Sequence, residues 1–189
     1  MKIDGWEFPF DTLPKWDIHN STHAHDFLME SSSAEYACLF YSAEEWRMCW
    51  YKACLAILSG KEHPQLLVNS ANISWFPYAK FSTNGNILFL CAYAGGFEFP
   101  LVIINLEKKQ FTPIRVVNGF QYSIEERDCT HFKMVKTEKE RESKAVTWAD
   151  GKKINLKRLR WLPLDRIDQL GDLLNDFKRI THYLNTRNK

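Results

Sequence analysis

No apolar run in this sequence approaches the ~18 residues that a membrane-crossing helix needs. The longest, around Ile87–Tyr93 and Phe99–Ile104, are broken by Gly and Pro. The opening MKIDGWEFPF has neither an apolar core nor a small-residue cleavage site, so no secretory signal is expected and a cytoplasmic location is. No CxxC pair exists, which removes the usual zinc and dithiol signatures. The five cysteines (Cys38, Cys49, Cys54, Cys91, Cys129) are odd in number and sit in or beside apolar segments. That is the pattern of buried thiols in a reducing compartment. A GxSxG elbow is missing. So is a phosphate-binding glycine loop, since Gly95-Gly96 stands between two predicted strands and not before a helix. The expectation from these absences is a domain without catalysis and without a cofactor.

What is abundant is aromatic surface, at 14% of residues, with 13 Phe, 7 Tyr and 7 Trp. Rings of this kind favour strands and large cores, and they also anchor binding surfaces. A chain of 189 residues fits one domain with a core of its own. Its formal charge of +2 conceals a division. Residues 1–60 carry four Lys/Arg against nine Asp/Glu, whereas residues 133–160 carry ten against four. Two oppositely charged faces, or two segments that pair with each other, would both follow.

The pattern predicts an α+β, mainly β fold: an antiparallel meander sheet or open sandwich with a C-terminal amphipathic helix packed on it. Residues 1–33 read as an irregular segment, 34–160 as the β-rich body and 163–185 as the helix. Within the first segment, His23–Glu30 suits a short helix capped by Ser21 or Thr22. EYACLFY (35–41) reads as a strand. Residues 43–58 fit a helix or a buried strand by periodicity. The strand is preferred because Gly60, Pro64 and a further strand, QLLVN (65–69), follow closely. Asn84-Gly85 is a strong turn signal, and strands are expected at 87–93, 100–106 and 111–117. FQYSI (120–124) and THFKMVK (130–136) read as two more. VTWADGKKINL (146–156) reads as a hairpin with Asp150-Gly151 at its tip, and Thr137–Lys144 as a charged linker. For the final helix, Leu164, Ile167, Leu170, Leu174, Phe177, Ile180 and Leu184 recur at helical spacing, with Asp165 as the expected N-cap and Asp168 three residues on.

Strands 35–41, 48–58 and 65–69 are echoed about fifty residues later by 87–93, 100–106 and 111–117. Over 35–117 this rhythm resembles two blades of a β-propeller. Two blades cannot close one, so a twisted sheet or open sandwich is expected instead.

Three constellations carry possible chemistry. His19, His23, His25 and Asp26 gather imidazoles and a carboxylate within eight residues, as a metal's first shell requires. THAHD resembles the HxHxDH motif of metallo-β-lactamase-fold hydrolases, and its HxH that of amidohydrolases. It departs from the first motif in placing Phe27 where the acid belongs. A metal-dependent hydrolase is the alternative function this implies, and a turn-forming polar segment is the structural one. Cys129 and His131, two apart on a strand, would share a face and allow a thiolate–imidazolium pair. The carboxylate pairs Glu44-Glu45 and Glu125-Glu126 read as solvated ends of elements. Lys152, Lys153, Lys157, Arg158 and Arg160 with Trp148 and Trp161 interleave cations and rings, as in nucleic-acid binding. A pI near 8.2 is modest for that function, and edge-strand protection by lysine accounts for the same residues.

In general character, as a small, compact, aromatic-rich and charge-segregated domain, the chain resembles the immunity proteins of bacterial polymorphic toxin and contact-dependent inhibition systems. The resemblance implies a non-catalytic protein-binding domain that neutralises a cognate toxin encoded nearby. If the toxin is a basic nuclease, the face meeting it would be acidic: Asp11, Asp17, Asp26, Glu30, Glu35, Glu44 and Glu45.

Overall fold

The computed structural model of the chain describes residues 2–3, 6–7, 25–45, 51–93, 100–114, 122–136 and 153–173. Thirteen strands run through them: β1 (Lys2–Ile3), β2 (Trp6–Glu7), β3 (His25–Glu30), β4 (Tyr36–Glu45), β5 (Tyr51–Ser59), β6 (Gln65–Phe81), β7 (Ile87–Tyr93), β8 (Leu101–Asn105), β9 (Gln110–Ile114), β10 (Tyr122–Asp128), β11 (His131–Lys136), β12 (Lys153–Asn155) and β13 (Leu162–Pro163). Strands β3 to β9 lie in sequence order in one antiparallel sheet, to which β13 adds an eighth strand beside β9. Strands β10, β11 and β12 form a second antiparallel sheet, and β1 and β2 a short hairpin. The mainly β antiparallel meander expected from the sequence is what forms, and the sheet is open. Both halves of the fifty-residue rhythm, β4–β6 and β7–β9, are neighbours in that one sheet.

The Asn84-Gly85 turn closes β6 onto β7. Ser82 N donates to Ile87 O (2.8 Å) and Gly85 N to Ser82 O (2.9 Å), while Asn84 Oδ1 accepts from Ser82 Oγ (2.7 Å) and Asn86 N (3.2 Å). Gly85 has φ +76°, a conformation that costs glycine nothing.

Three local expectations are corrected. Residues 25–30 are an edge strand and not a short helix, so the first segment is not irregular throughout. Met29 pairs with Cys38 and Leu28 with Leu39, and this ladder outweighs the propensity of so short a helix. Of 43–58, the described residues are strand, as preferred, but β4 runs on to Glu45. QLLVN is only the start of a 17-residue strand. Proline cannot donate to a strand ladder, so Pro77 needs a special place in β6. Here it lies in the irregularity between Phe76 and Ala79, where the ladder to β7 asks for no N–H.

A second irregularity in β6 places Ala53 opposite Trp75 but Leu55 opposite Ser70. These breaks let the sheet bend. In a flat meander the β3–β4 and β6–β7 turns would lie at opposite ends, yet Ser32 Oγ donates to Thr83 O at 2.8 Å. The sheet therefore curls over itself, and its inner face encloses the main core. Cys38, Phe40, Leu55, Ile57, Trp75, Leu88, Leu90, Val102 and Ile104 all point inward. Trp75 is fully buried, and its indole N–H donates to Ser70 Oγ (3.1 Å).

The outer faces are covered too. Trp6 packs on Ala37, Leu39, Tyr41, Cys54, Ala56 and Leu58. The three-stranded sheet packs on Ile87, Phe89, Leu101 and Ile103. Burial on both sides is why ILFLCAY and LVII are apolar throughout and do not alternate. Each fully buried aliphatic side chain contributes about 1.5–3 kcal/mol to this packing.

The C-terminal helix begins as a 3-10 segment, Leu164–Gln169, and passes into α-helix at 170–173. Residues 174–189, with Leu174, Phe177, Ile180 and Leu184 of the expected stripe, lie outside the described residues. Leu164, Ile167 and Leu170 are buried in the main core and Leu173 packs against it. Their spacing of three is the 3-10 repeat, which keeps them on one side. Asp165 is not the N-cap as expected. Pro163 holds that position, extended at φ −59° and ψ 139° with no side-chain cap bond, because β13 pairs it with Gln110. Of the expected 146–156 hairpin, the described arm, β12, pairs with β11. Residues 137–152 lie outside the described residues.

Candidate functional site

The three-stranded sheet is two-faced. Alternation along β10, β11 and β12 sends Ile124, Phe132, Met134 and Ile154 inward, where they are buried. The opposite phase carries Glu125, Arg127, His131, Lys153 and half-buried Lys133, together with Val135, which is buried at the far end of β11. The rings of Phe89 and Phe132 meet edge to face, 4.9 Å apart at 62°. Polar contacts add to this anchor. Lys80 Nζ donates to Ile124 O, and Glu126 Oε2 accepts from both N and Oγ1 of Thr83, each at 2.7 Å. Glu126 is thus a tether across the layers and not a solvated strand end. Its partner is 43 residues away, and no local pattern announces it.

Asp128 builds the β10–β11 turn. Its Oδ1 accepts from Thr130 N (2.8 Å), Thr130 Oγ1 (2.9 Å) and His131 N (2.9 Å), and His131 Nδ1 lies 2.9 Å from Oδ2. The Thr130 amide foremost, then the His131 ring, stabilises the carboxylate and brings its pKa down to about 2. His131 therefore faces Asp128, and the turn, not a continuous strand, separates it from exposed Cys129. The thiolate–imidazolium arrangement does not form. Cys38, Cys54 and Cys91 are buried as expected, whereas Cys129, expected to be buried with them, is exposed because it falls in the β10–β11 turn, and Cys49 lies outside the described residues. Burial pushes the Cys38 thiol up, which keeps it protonated.

Across the outer face, one row reads Glu125, Lys133, Lys153, each directly opposite the next. Glu125 Oε2 already holds Arg127 Nη2 at 3.1 Å. The chain leaves β12 through a 3-10 turn at Leu156–Arg158, capped by Asn155 Oδ1 on Lys157 N (2.9 Å). Leu156 is buried, while Lys157, Arg158 and Arg160 are exposed. Among the described residues, Lys133, Lys153, Lys157, Arg158 and Arg160 make no ion pair. Trp161, expected as a stacking platform, is half-buried against the second core, and its N–H donates to Leu156 O at 3.1 Å. Lys152 and Trp148 lie outside the described residues.

Of the histidine cluster, His19 and His23 lie outside the described residues, and the backbones of His25 and Asp26 open β3. Among the described residues, no three His, Cys, Asp or Glu side chains are grouped to hold a metal. Of the expected acidic face, Asp11 and Asp17 lie outside the described residues. Glu44 and Glu45 stand opposite Lys52 and Tyr51 in the β4–β5 register, and Glu35 is exposed beside the β3–β4 turn.

Glu30 is occupied within the fold. Its Oε1 accepts from Lys61 Nζ (2.7 Å) and from the indole N–H of buried Trp6, whose ring lies 5.8 Å below the same ammonium. The Lys61 bond first, then the Trp6 bond, lowers the Glu30 pKa below 4.5. A carboxylate whose folded pKa is depressed stabilises the fold above its unfolded pKa and stops doing so as pH falls through the folded one. The stability advantage of wild type over Glu30→Gln is thus expected to be constant above about pH 5 and to shrink steadily below pH 4.5. Urea midpoints of both proteins from pH 7 to pH 3 check this. An advantage that grows toward low pH would contradict it.

Among the described residues, no helix is long and apolar enough to cross a membrane. No protein-family model, no curated protein and no solved structure matches the chain.

Proposed function

We propose that this chain is an immunity protein: a non-catalytic cytoplasmic domain that binds and neutralises a cognate bacterial toxin encoded nearby. The observation that carries the reading is the outer face of the three-stranded sheet. It displays Glu125, Arg127, His131, Lys133 and Lys153 at fixed strand positions, while its reverse is locked to the main sheet by Phe132, Met134 and Ile154. Charges held rigidly by a packed scaffold recognise a partner surface at low reorganisation cost, and they speed encounter and reject mismatched partners. An inhibitor that acts by covering a toxin needs this kind of surface, and a domain of 189 residues is large enough to support it.

Co-expression with the adjacent reading frames tests the reading. The expected result is a one-to-one complex that co-purifies through size exclusion, together with rescue of growth when the neighbouring protein is induced. If neither complex nor rescue is obtained with any neighbouring frame, the reading is wrong.

A further inference from the structure

Lys133 and Lys153 stand directly opposite each other on β11 and β12. Side chains so placed have Cβ atoms about 5 Å apart, and like charges there repel. Glu125, across from Lys133 on the other side, is the row's only carboxylate, and it already holds Arg127. The chain then presents Lys157, Arg158 and Arg160, all exposed. The face thus carries a surplus of cations on a rigid support, with no counter-charge for five of them among the described residues.

We infer that this face docks a carboxylate-rich protein surface, and, resting on the immunity reading, that the toxin it covers is acidic around its active site. This reverses the sign expected for the partner of an acidic N-terminal third, one of whose members, Glu30, is consumed by Lys61 and Trp6. Aspartate and glutamate side chains of the partner supply negative charge to the Lys133–Lys153 pair, which has no ion-pair partner among the described residues. Burying such pairs at an interface gains most when the cations are already positioned. The mixed signs of the face favour protein over nucleic acid. Glu125 and Asp128 interrupt any track that a phosphate backbone would follow. Among the described residues, the aromatic rings nearby are turned away from a base: Phe132 is buried, and Trp161 is tied to Leu156 O.

The test uses the full chain and three probes: fluorescein-labelled deca-glutamate, a mixed-sequence 20-base-pair DNA duplex, and the protein encoded by the adjacent frame. At about 50 mM salt, deca-glutamate is expected to bind wild type, and K133E/K153E to weaken it by about tenfold or more. K108E/K109E, in the β8–β9 turn, should bind as wild type does. With the neighbouring protein, K133E/K153E should slow association, flatten its salt dependence and speed dissociation, because the partner's carboxylates would then be buried against like charge. Thermal melts of each variant establish folding, and K153E alone serves if the double variant does not fold. Tighter binding of the duplex than of deca-glutamate would make the ligand a nucleic acid and overturn the inference, as would binding of neither. A neighbour complex unaffected by K133E/K153E sinks the inference and leaves the immunity reading standing. If no neighbour binds, that reading falls, and the deca-glutamate and duplex titrations still decide the chemistry of the face.

Discussion

Phe132→Ala is expected to destabilise the protein by about 3–5 kcal/mol, the usual cost of removing a buried ring from a packed core. Phe132 is 1% exposed, and its ring meets Phe89 edge to face. It is the central apolar contact between the three-stranded sheet and β7, so its loss falls on the joint between layers. Ile124, Met134 and Ile154 still pack on the main sheet, but none of them brings a ring to Phe89, and the polar ties of Lys80 to Ile124 O and Thr83 to Glu126 are partly exposed and do not replace buried apolar contact. Hydrogen exchange should accelerate in β10, β11 and β12 before it does in β4 and β5, where the main core and Trp6 cover both faces. In a cycle with Phe89→Ala, the two rings should couple by about 0.5–1.5 kcal/mol, the specific aromatic contribution. Urea denaturation measures both quantities. A single-variant loss under about 1 kcal/mol would mean that the second core is not what holds the small sheet. The same variant should lose deca-glutamate binding, because the charged face depends on its buried reverse.

Gly85→Ala is expected to cost about 2 kcal/mol or more, from two sources that can be separated. An L residue at φ +76° pays about 1–2 kcal/mol in the left-handed region. An alanine Cβ there would also lie 3.1 Å from Ser31 Cβ and 3.2 Å from Ser33 Oγ. Both belong to the β3–β4 turn, which Ser31 itself closes by accepting from Tyr36 N at 3.1 Å. Gly85→Asn should recover part of the conformational cost, since Asn tolerates this region, but keep the clash. Adding Ser31→Gly to Gly85→Ala removes the nearest atom, and with it the bond from Tyr36 N, so the relief of the Ser31 clash is read as the coupling between the two substitutions, while the 3.2 Å contact with Ser33 Oγ remains. Thermal or urea midpoints of the four proteins give the cycle. Additive effects of Ser31→Gly and Gly85→Ala would show that the two turns do not press on each other.

Much of the fold was legible along the chain. Asn84-Gly85 announced its turn, and ILFLCAY and LVIIN announced strands, because turn chemistry and apolar runs are local properties. Leu164, Ile167 and Leu170 announced a packed C-terminal segment, although their spacing of three fits the 3-10 turn as well as it fits the start of an α-helix. The residues misread were those whose state depends on a distant partner. His25–Glu30 is a strand because β4 offers it a ladder. SANISWFPYAKF continues β6 because its irregular residues sit where β5 and β7 slip register.

The candidate site was legible in part. The cationic run near 153–160 is plain in the sequence. Its orientation is not: that Trp161 turns into the core, and that Lys133 stands beside Lys153, depends on how β11 meets β12. The same holds for Glu30, an acid like its neighbours in composition, yet bound to Trp6 and Lys61 at separations of 24 and 31 residues. By itself the sequence determined the strand class, the sharpest turns and the sum of charge in each segment, because propensity, turn chemistry and formal charge act within a few residues. Only the tertiary structure decided which charges are spent inside the fold and which are left facing outward. That choice depends on register and on the bend in β6, and both are settled by burying the two faces of one sheet at once.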